Sequence, residues 1–332
     1  MANLKYLDSL NKSQKEAVLY VSGPLLIVAG AGSGKTKVLT SRIAHILNEN
    51  RAFPNQILSV TFTNKAAREM QMRVSKIFNN KEVGLPWLGT FHSICAKLLR
   101  RHSKVVNLNQ NFTIIDQDDQ LRLIRSICSA ENIDVKKISP NFIISLINKW
   151  KNLGWYPHDV VLKKSENFEK NLLKIYKIYQ EKLTDLNACD FGDLILHCVS
   201  IFERNKDINE MYSKNFKYIL VDEYQDTNFI QSKWLKLLTK SHDNICCVGD
   251  DDQSIYSWRG AEIKNFLEFD KIFANTKIIR LEENYRSTQN ILNVASELIS
   301  NNENRLGKKL NSNQNQGELV NLNCFKNGKD EA

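Results

Sequence analysis

Three things are scarce in this sequence: paired cysteines, long apolar runs and, in its first third, acidic residues. The seven cysteines (Cys95, Cys128, Cys189, Cys198, Cys246, Cys247 and Cys324) are odd in number and include no C-x-x-C pair. That excludes a disulfide framework and the common zinc spacings, and it points to a reducing cytoplasm. No apolar run approaches the ~18–20 residues of a membrane span, and residues 1–20 are too polar for a signal peptide, so no membrane partner is expected. Residues 1–114 carry 5 Asp/Glu against 16 Lys/Arg, a balance of +11, whereas residues 115–212 and 213–332 each stand at −1. Compositional drift would spread the net charge of +9 evenly. Its concentration in one segment instead marks a polyanion-binding surface, for nucleic acid or nucleotide.

What is present is an ordinary globular composition. A hydrophobic share of 42% and a charged share of 25% exclude a disordered or fibrous chain. At ~150 residues per domain, 332 residues suggest about two domains. Short β-branched apolar runs at 25–29, 57–62, 218–221, 245–248 and 278–281 recur between segments of helical period, the pattern of a parallel α/β sheet covered on both faces. The middle differs. Over 116–212 apolar residues fall at spacings of three and four, as in Leu121, Ile124, Ile127 and Cys128, with Asp116 placed as an N-cap. That span reads as a mainly α-helical insertion. Residues 301–332 are Asn/Gly-rich, with one short strand expected over 319–325.

Three motifs carry chemistry. Ala29-Gly30-Ala31-Gly32-Ser33-Gly34-Lys35-Thr36 follows the first strand and opens a helix over 37–48. Glycines there let backbone N–H groups turn inward around phosphate oxygens. Lys35 can then reach the β- and γ-phosphates of a nucleotide, and the Thr36 hydroxyl can ligate Mg²⁺. The strict phosphate-loop pattern has Gly where this chain has Ala29. A second strand runs through Ile219-Leu220-Val221 into Asp222-Glu223. In a phosphate-loop enzyme the first carboxylate holds Mg²⁺ and the next orients or deprotonates the attacking water. A solvated strand end is the plainer alternative, and pairing with the phosphate loop weighs against it. The third motif is Val248-Gly249-Asp250-Asp251-Asp252-Gln253-Ser254-Ile255-Tyr256-Ser257-Trp258-Arg259-Gly260. Gln253 is placed to sense a γ-phosphate or its attacking water, and Tyr256 and Trp258 could stack on bases. The acidic spacing fails the D-x-[DN]-x-[DN]-G calcium pattern.

These motifs stand in order with Leu10-Asn11-x-x-Gln14-x-x-Ala17-Val18, Thr61-Phe62-Thr63-Asn64-Lys65-Ala66-Ala67, Gly89-Thr90-Phe91-His92-Ser93, Asp190-Phe191-Gly192-Asp193-Leu194 and Glu283-Asn284-Tyr285-Arg286-Ser287-Thr288. Together the eight blocks, which cover nearly the whole chain, resemble the N-terminal part of superfamily 1 DNA helicases of the UvrD/Rep/PcrA type.

The resemblance implies a RecA-like ATP-binding motor domain over 1–115 and 213–285. It implies a helical insertion over 116–212 and a truncated start of a second motor domain over 286–332. It implies ATP and Mg²⁺ as cofactors, with Gln14 reading the adenine edge, Tyr285 stacking on the adenine face and Arg286 acting as an arginine finger in cis. Phe62, Phe191, Tyr256 and Trp258 would stack on or wedge between bases of single-stranded DNA, and Thr63, Asn64, Thr90 and His92 would touch its backbone. Phe62 also suits a core position at its strand end, and His92 also suits a satisfied interior histidine. Lys37 stands where the family commonly has an Arg packed on adenine, although Arg42 further along the helix matches. Gly192 stands where an acidic residue is frequent, leaving Asp193 to carry that motif's charge. The implied activity is ATP-driven 3′→5′ movement on single-stranded DNA and DNA junctions, with repair or replication proteins as partners. The chain alone is expected to bind nucleotide and turn it over slowly. The motor part of a helicase–nuclease subunit and a non-catalytic DNA-binding fragment stay open as alternatives, as does the oligomeric state.

Overall fold

The computed structural model describes residues 5–81, 83–133, 135, 137–161, 167–303 and 305–331. Its strands in chain order are β1 (Leu25–Ala29), β2 (Ile57–Thr61), β3 (Leu88–Thr90), β4 (Thr113–Ile114), β5 (Ala188–Cys189), β6 (Tyr218–Val221), β7 (Ile245–Gly249), β8 (Lys277–Leu281), β9 (Glu283–Asn284) and β10 (Asn311–Ser312). Six form one sheet in the order β3-β2-β6-β7-β1-β8, with every pairing parallel. The five apolar runs read from the sequence are all strands of this sheet, and the fold is the expected α/β, RecA-like one. β3 has no counterpart among the apolar runs, because its three residues are too few to show a pattern.

Helices cover both faces, so β1, β2, β6 and β7 are buried along their whole length. The period of two survives only in which face each side chain enters. Leu26, Val28, Leu58, Val60, Ile219, Val221 and Cys247 join one core. Leu25, Ile27, Ala29, Leu220, Cys246 and Val248 join the other. Seven free cysteines, Cys324 alone exposed, match the expected lack of disulfides. Among the described residues no helix is long and apolar enough to cross a membrane.

Between β4 and β5, helices Gln117–Ala130, Pro140–Asn152 and Asn167–Asp185 enclose a third core around Ile124, Ile127, Ile143, Ile147, Ile175 and Tyr176. Asp116 caps the first of them, accepting from the Asp119 N–H at 2.9 Å. The parallel pair β4–β5 was not legible in the sequence. It closes the base of this unit, where the Ile115 N–H donates to the Cys189 carbonyl at 2.9 Å. The next helix, Phe191–Arg204, turns Leu194, Cys198 and Phe202 into the sheet's own core. The helical span is thus shared between two cores.

The strand expected over 319–325 is absent. Leu322 is 91% exposed, and the segment joins no ladder among the described residues. An apolar run without a partner strand has nothing to satisfy its backbone or cover its side chains.

One half-buried titratable pair predicts a pH response of the fold. The Tyr156 hydroxyl lies 2.7 Å from His197 Nδ1, and burial, then the nearby Lys151 charge, lowers the His197 pKa to about 4. Unfolded, the imidazole titrates near 6.5. A depressed value contributes stability that is complete above that pH and lost as pH falls toward 4, worth about 2 kcal/mol between pH 7 and pH 5. Denaturant melts at those two pH values are expected to show a correspondingly smaller loss in His197→Phe than in the unchanged chain. Equal losses would mean that the ring titrates freely.

Candidate functional site

The chemistry-bearing loops leave the sheet at the carboxyl ends of its strands: residues 30–36 after β1, 222–226 after β6 and 250–253 after β7, with 284–286 just beyond β8. Ligands of open parallel sheets bind at this edge, beside the strand where chain order reverses. Gly32 and Gly34 sit at φ +72° and +88°, a region that favours glycine. Space demands it too, since a Cβ on Gly32 would lie 2.6 Å from Arg286 Cβ, and one on Gly34 would lie 2.7 Å from Gln14 Nε2. Ser33 Oγ donates to the Gly30 carbonyl at 2.7 Å, and Gln14 Nε2 donates to the Ser33 carbonyl at 2.9 Å. Gln14 therefore braces the loop from outside. Ala29 departs from the strict pattern without cost, because it is still in β1, paired to Leu281 and buried in the core.

Ala31, Gly32, Gly34, Lys35, Thr36, Lys37, Glu223, Gln253, Tyr285 and Arg286 line one cavity of about 360 Å³. Lys35 Nζ sits 3.0 Å from Glu223 Oε2. Glu223 itself takes φ +49°, a strained conformation for a side chain of this size. Asp222 is 6% exposed. Burial first and the Glu223 charge second lift its pKa to about 6, and the same two causes lift Asp226 to about 6. Asp226 Oδ1 is buried with no hydrogen-bond partner among the described residues. Lys35 only partly offsets the charge of Asp222, Glu223 and Asp226, since both aspartates stay raised beside it. A divalent cation on Thr36 and Asp222, which offer the oxygen ligands Mg²⁺ prefers, fits that deficit.

Two residues without a role in the sequence reading tie the loops together. Gln225 Nε2 donates to Glu223 Oε2 at 3.0 Å while its Oε1 accepts the Asp250 N–H at 3.0 Å. A Cβ on Gly249 would strike Gln225 Oε1, which explains that glycine. Asn284 Nδ2 donates to the Ala31 carbonyl at 2.6 Å, and its Oδ1 accepts the N–H groups of Arg286 and Ser287 at 2.9 and 2.8 Å. The Tyr285 N–H donates to the Gly32 carbonyl at 2.9 Å, so the turn carrying Tyr285 and Arg286 rests directly on the glycine-rich loop. Both residues lay inside motif blocks. Their tertiary partners, 25 and 253 residues away, did not.

Arg42 does not join this group. It is 1% exposed, and its guanidinium donates to the Ala17 carbonyl at 2.7 Å and to that of Tyr20, closing the end of helix Lys12–Leu19. Two turns along helix Lys35–Asn48 it faces inward, away from the cavity. Lys37 does line the cavity, with its ammonium on the Ser9 carbonyl.

A second cleft of about 1080 Å³ opens between the insertion and the sheet region, lined by His92, Asn148, Asn152, Phe191, Trp258 and Arg259 among others. Trp258 is 73% exposed and Phe191 51%. Arg259 lies over the rings of both Trp258 and Tyr256, at 4.5 and 5.0 Å. The His92 ring packs edge-on to Phe191 at 5.7 Å, has no hydrogen-bond partner among the described residues, and has its pKa lowered by burial. Thr63 and Thr90 end up as N-caps, their hydroxyls accepting from Ala66 and Ser93 at 3.1 and 3.2 Å. Asn64 opens the helix that Thr63 caps. Two helix N-termini thereby face the same edge of the sheet, a geometry suited to phosphates. Phe62 is half-buried against the sheet core, 5.6 Å from Phe91.

The wall of this cleft is fixed by a buried ion cluster. Lys151 Nζ lies 2.6 Å from Asp190 Oδ2 and 2.8 Å from Asp193 Oδ1. The two aspartates form the capping box of helix Phe191–Arg204. Asp193 therefore shares that motif's charge with Asp190 rather than carrying it alone. Gly192 is explained by space, because a Cβ there would lie 2.9 Å from Lys151 Cδ. Nothing in the sequence marked Lys151, which is 39 residues from Asp190.

Residues 10–274 match the family model described as the UvrD/REP helicase N-terminal domain, and residues 279–332 match the UvrD-like helicase C-terminal domain. Over 335 residues the chain is 47% identical to a probable DNA helicase II homolog of Rickettsia conorii, covering 100% of this chain and 51% of the relative. It is 47% identical over 336 residues to DNA helicase II of Rickettsia typhi, covering 100% and 51%. To the ATP-dependent DNA helicase PcrA of Staphylococcus aureus it is 45% identical over 326 residues, covering 98% and 44%. The chain spans about half the length of the curated relatives it matches.

Proposed function

The chain belongs to the UvrD/REP helicase family, and on that premise we propose that it is an ATP-dependent DNA helicase motor. It works in the cytoplasm, moving 3′→5′ on single-stranded DNA and at junctions, with repair or replication proteins as partners. Residues 1–115 and 213–285 act as the ATP-binding motor domain, 116–212 as the helical insertion and 286–332 as the beginning of the second motor domain.

Thr36 and Asp222 would hold Mg²⁺, which would supply neutralisation of phosphate charge. Lys35 exchanges Glu223 for the β- and γ-phosphates. That frees Glu223 to take the proton of the attacking water. Gln253 Nε2, now on Asp250, turns to the γ-phosphate and carries its presence into the loop that bears Tyr256 and Trp258. Arg286 offsets charge on the transferring phosphoryl group. Gln14 and Tyr285 take the adenine. Across the second cleft, Trp258, Tyr256, Phe191 and Phe62 stack on bases while Thr63, Asn64, Thr90 and His92 meet the backbone.

The observation that carries this reading is the convergence of Lys35, Glu223, Gln253 and Arg286, from four separate loops, on one cavity. Titration with a fluorescent Mg–nucleotide and with a labelled oligo(dT) tests it. Trp258→Ala is expected to weaken oligo(dT) by about 5–150-fold, the ~1–3 kcal/mol of one base stack, and to leave nucleotide affinity unchanged. A chain that binds neither ligand would refute the reading.

A further inference from the structure

The segment 305–312 touches three of the working loops at once, those at 30–36, 250–253 and 284–286. Lys308 Nζ lies 2.7 Å from Asp250 Oδ1, 2.7 Å from Asp251 Oδ1 and 2.6 Å from Asp252 Oδ2. Arg305 grips Asp252 through two bonds of 2.6 and 2.9 Å. The Leu306 N–H donates to Asp251 Oδ2 at 2.8 Å. Three carboxylates this close have the look of a metal site, but the cation among them is the Lys308 ammonium. Asp250, held in this way, is the acceptor of Gln253 Nε2. Two residues further on, Leu310 lies where a side chain on Gly30 would point, its Cδ2 2.5 Å from that Cβ position. Then β10 pairs with β9, and Ser312 Oγ donates to the Ser287 carbonyl at 2.7 Å, beside Arg286.

We propose that Lys308, supported by Arg305, is a positioning residue that sets the Asp250–Gln253 turn against the glycine-rich loop, so that nucleotide occupancy is transmitted to the Tyr256–Trp258 arm. This rests on the proposed function, which puts nucleotide at one end of the path and DNA at the other. The physical basis is charge. Without Lys308, three adjacent carboxylates repel one another, and the turn that orients Gln253 loses its fixed shape. Lys308 touches neither ligand, so its effect lies in the coupling between the two sites and not in either affinity alone.

Oligo(dT) affinity of the 332-residue chain, measured by anisotropy with and without a non-hydrolysable Mg–ATP analogue, tests this. In the unchanged chain and in Lys308→Arg the analogue is expected to shift oligo(dT) affinity by about 5-fold or more. In Lys308→Met the shift is expected to fall below about 2-fold, with each ligand alone bound within about 3-fold of normal. Arg305→Ala, at the outer end of the cluster, provides the same comparison should Lys308→Met not fold, and about half of the logarithmic shift is expected to be lost. A shift that persists in full in Lys308→Met or in a folded Arg305→Ala, or that is absent from the unchanged chain although it binds both ligands, overturns the inference. An unchanged chain that binds neither ligand overturns the proposed function itself.

Discussion

Replacing Arg286 by alanine is expected to lower DNA-stimulated ATP turnover by about 10³–10⁵-fold, the range found for arginine fingers. The geometry explains why so much rests on one side chain. The backbone of Arg286 is fixed, its N–H on Asn284 Oδ1 and the neighbouring Tyr285 N–H on the Gly32 carbonyl. Its guanidinium has no partner among the described residues and lines the same cavity as Lys35. A cation held ready and uncommitted is suited to charge that appears only as the phosphoryl group transfers. Nucleotide affinity is therefore expected to stay within a few-fold of normal, since little of that charge exists in the ground state. Phosphate release with and without oligo(dT), alongside equilibrium nucleotide binding, checks both halves. A variant retaining more than about a tenth of the turnover would remove Arg286 from the reaction.

Glu223→Gln is expected to cost about 10²–10⁴-fold in turnover, the worth of a general base. The amide keeps an acceptor for Lys35 and the shape of the strained φ +49° turn, so the loss isolates proton transfer. The same change removes the second of the causes that hold Asp222 at about 6. Asp222 then ionises at lower pH, and Mg–nucleotide affinity at pH 6 is expected to rise by a few-fold while turnover falls. Single-turnover hydrolysis and binding at pH 6 and 7.5 separate the two effects. If both fell together, Glu223 would be holding the nucleotide and not the water.

The sheet and the nucleotide loop were legible in the sequence for physical reasons. A parallel strand covered on both faces must be a continuous apolar run, so 25–29, 218–221 and 245–248 stood out. A loop that wraps phosphate must have glycine where Cβ would collide, so Gly32 and Gly34 stood out as well. The 319–325 run misled because apolarity signals a need for cover without showing that cover exists. Arg42 misled because its position along the helix suits adenine, whereas its inward face serves the Ala17 and Tyr20 carbonyls.

Sequence alone, then, determined the family, the five longer strands of the main sheet and the candidate reactive groups, because each of these depends on residue type at short spacing. Tertiary structure decided which groups meet. Gln225 joins the two acidic loops, Asn284 docks the Arg286 turn on the Ala31 carbonyl, Lys151 locks Asp190 to Asp193, and Lys308 sits among Asp250, Asp251 and Asp252. These partners are 25 to 253 residues apart in the chain. Their attraction is electrostatic and short-ranged, so it takes effect only after the apolar strands have brought the loops to one edge. The +11 of the first third announces a polyanion, but where that charge faces is set by the sheet.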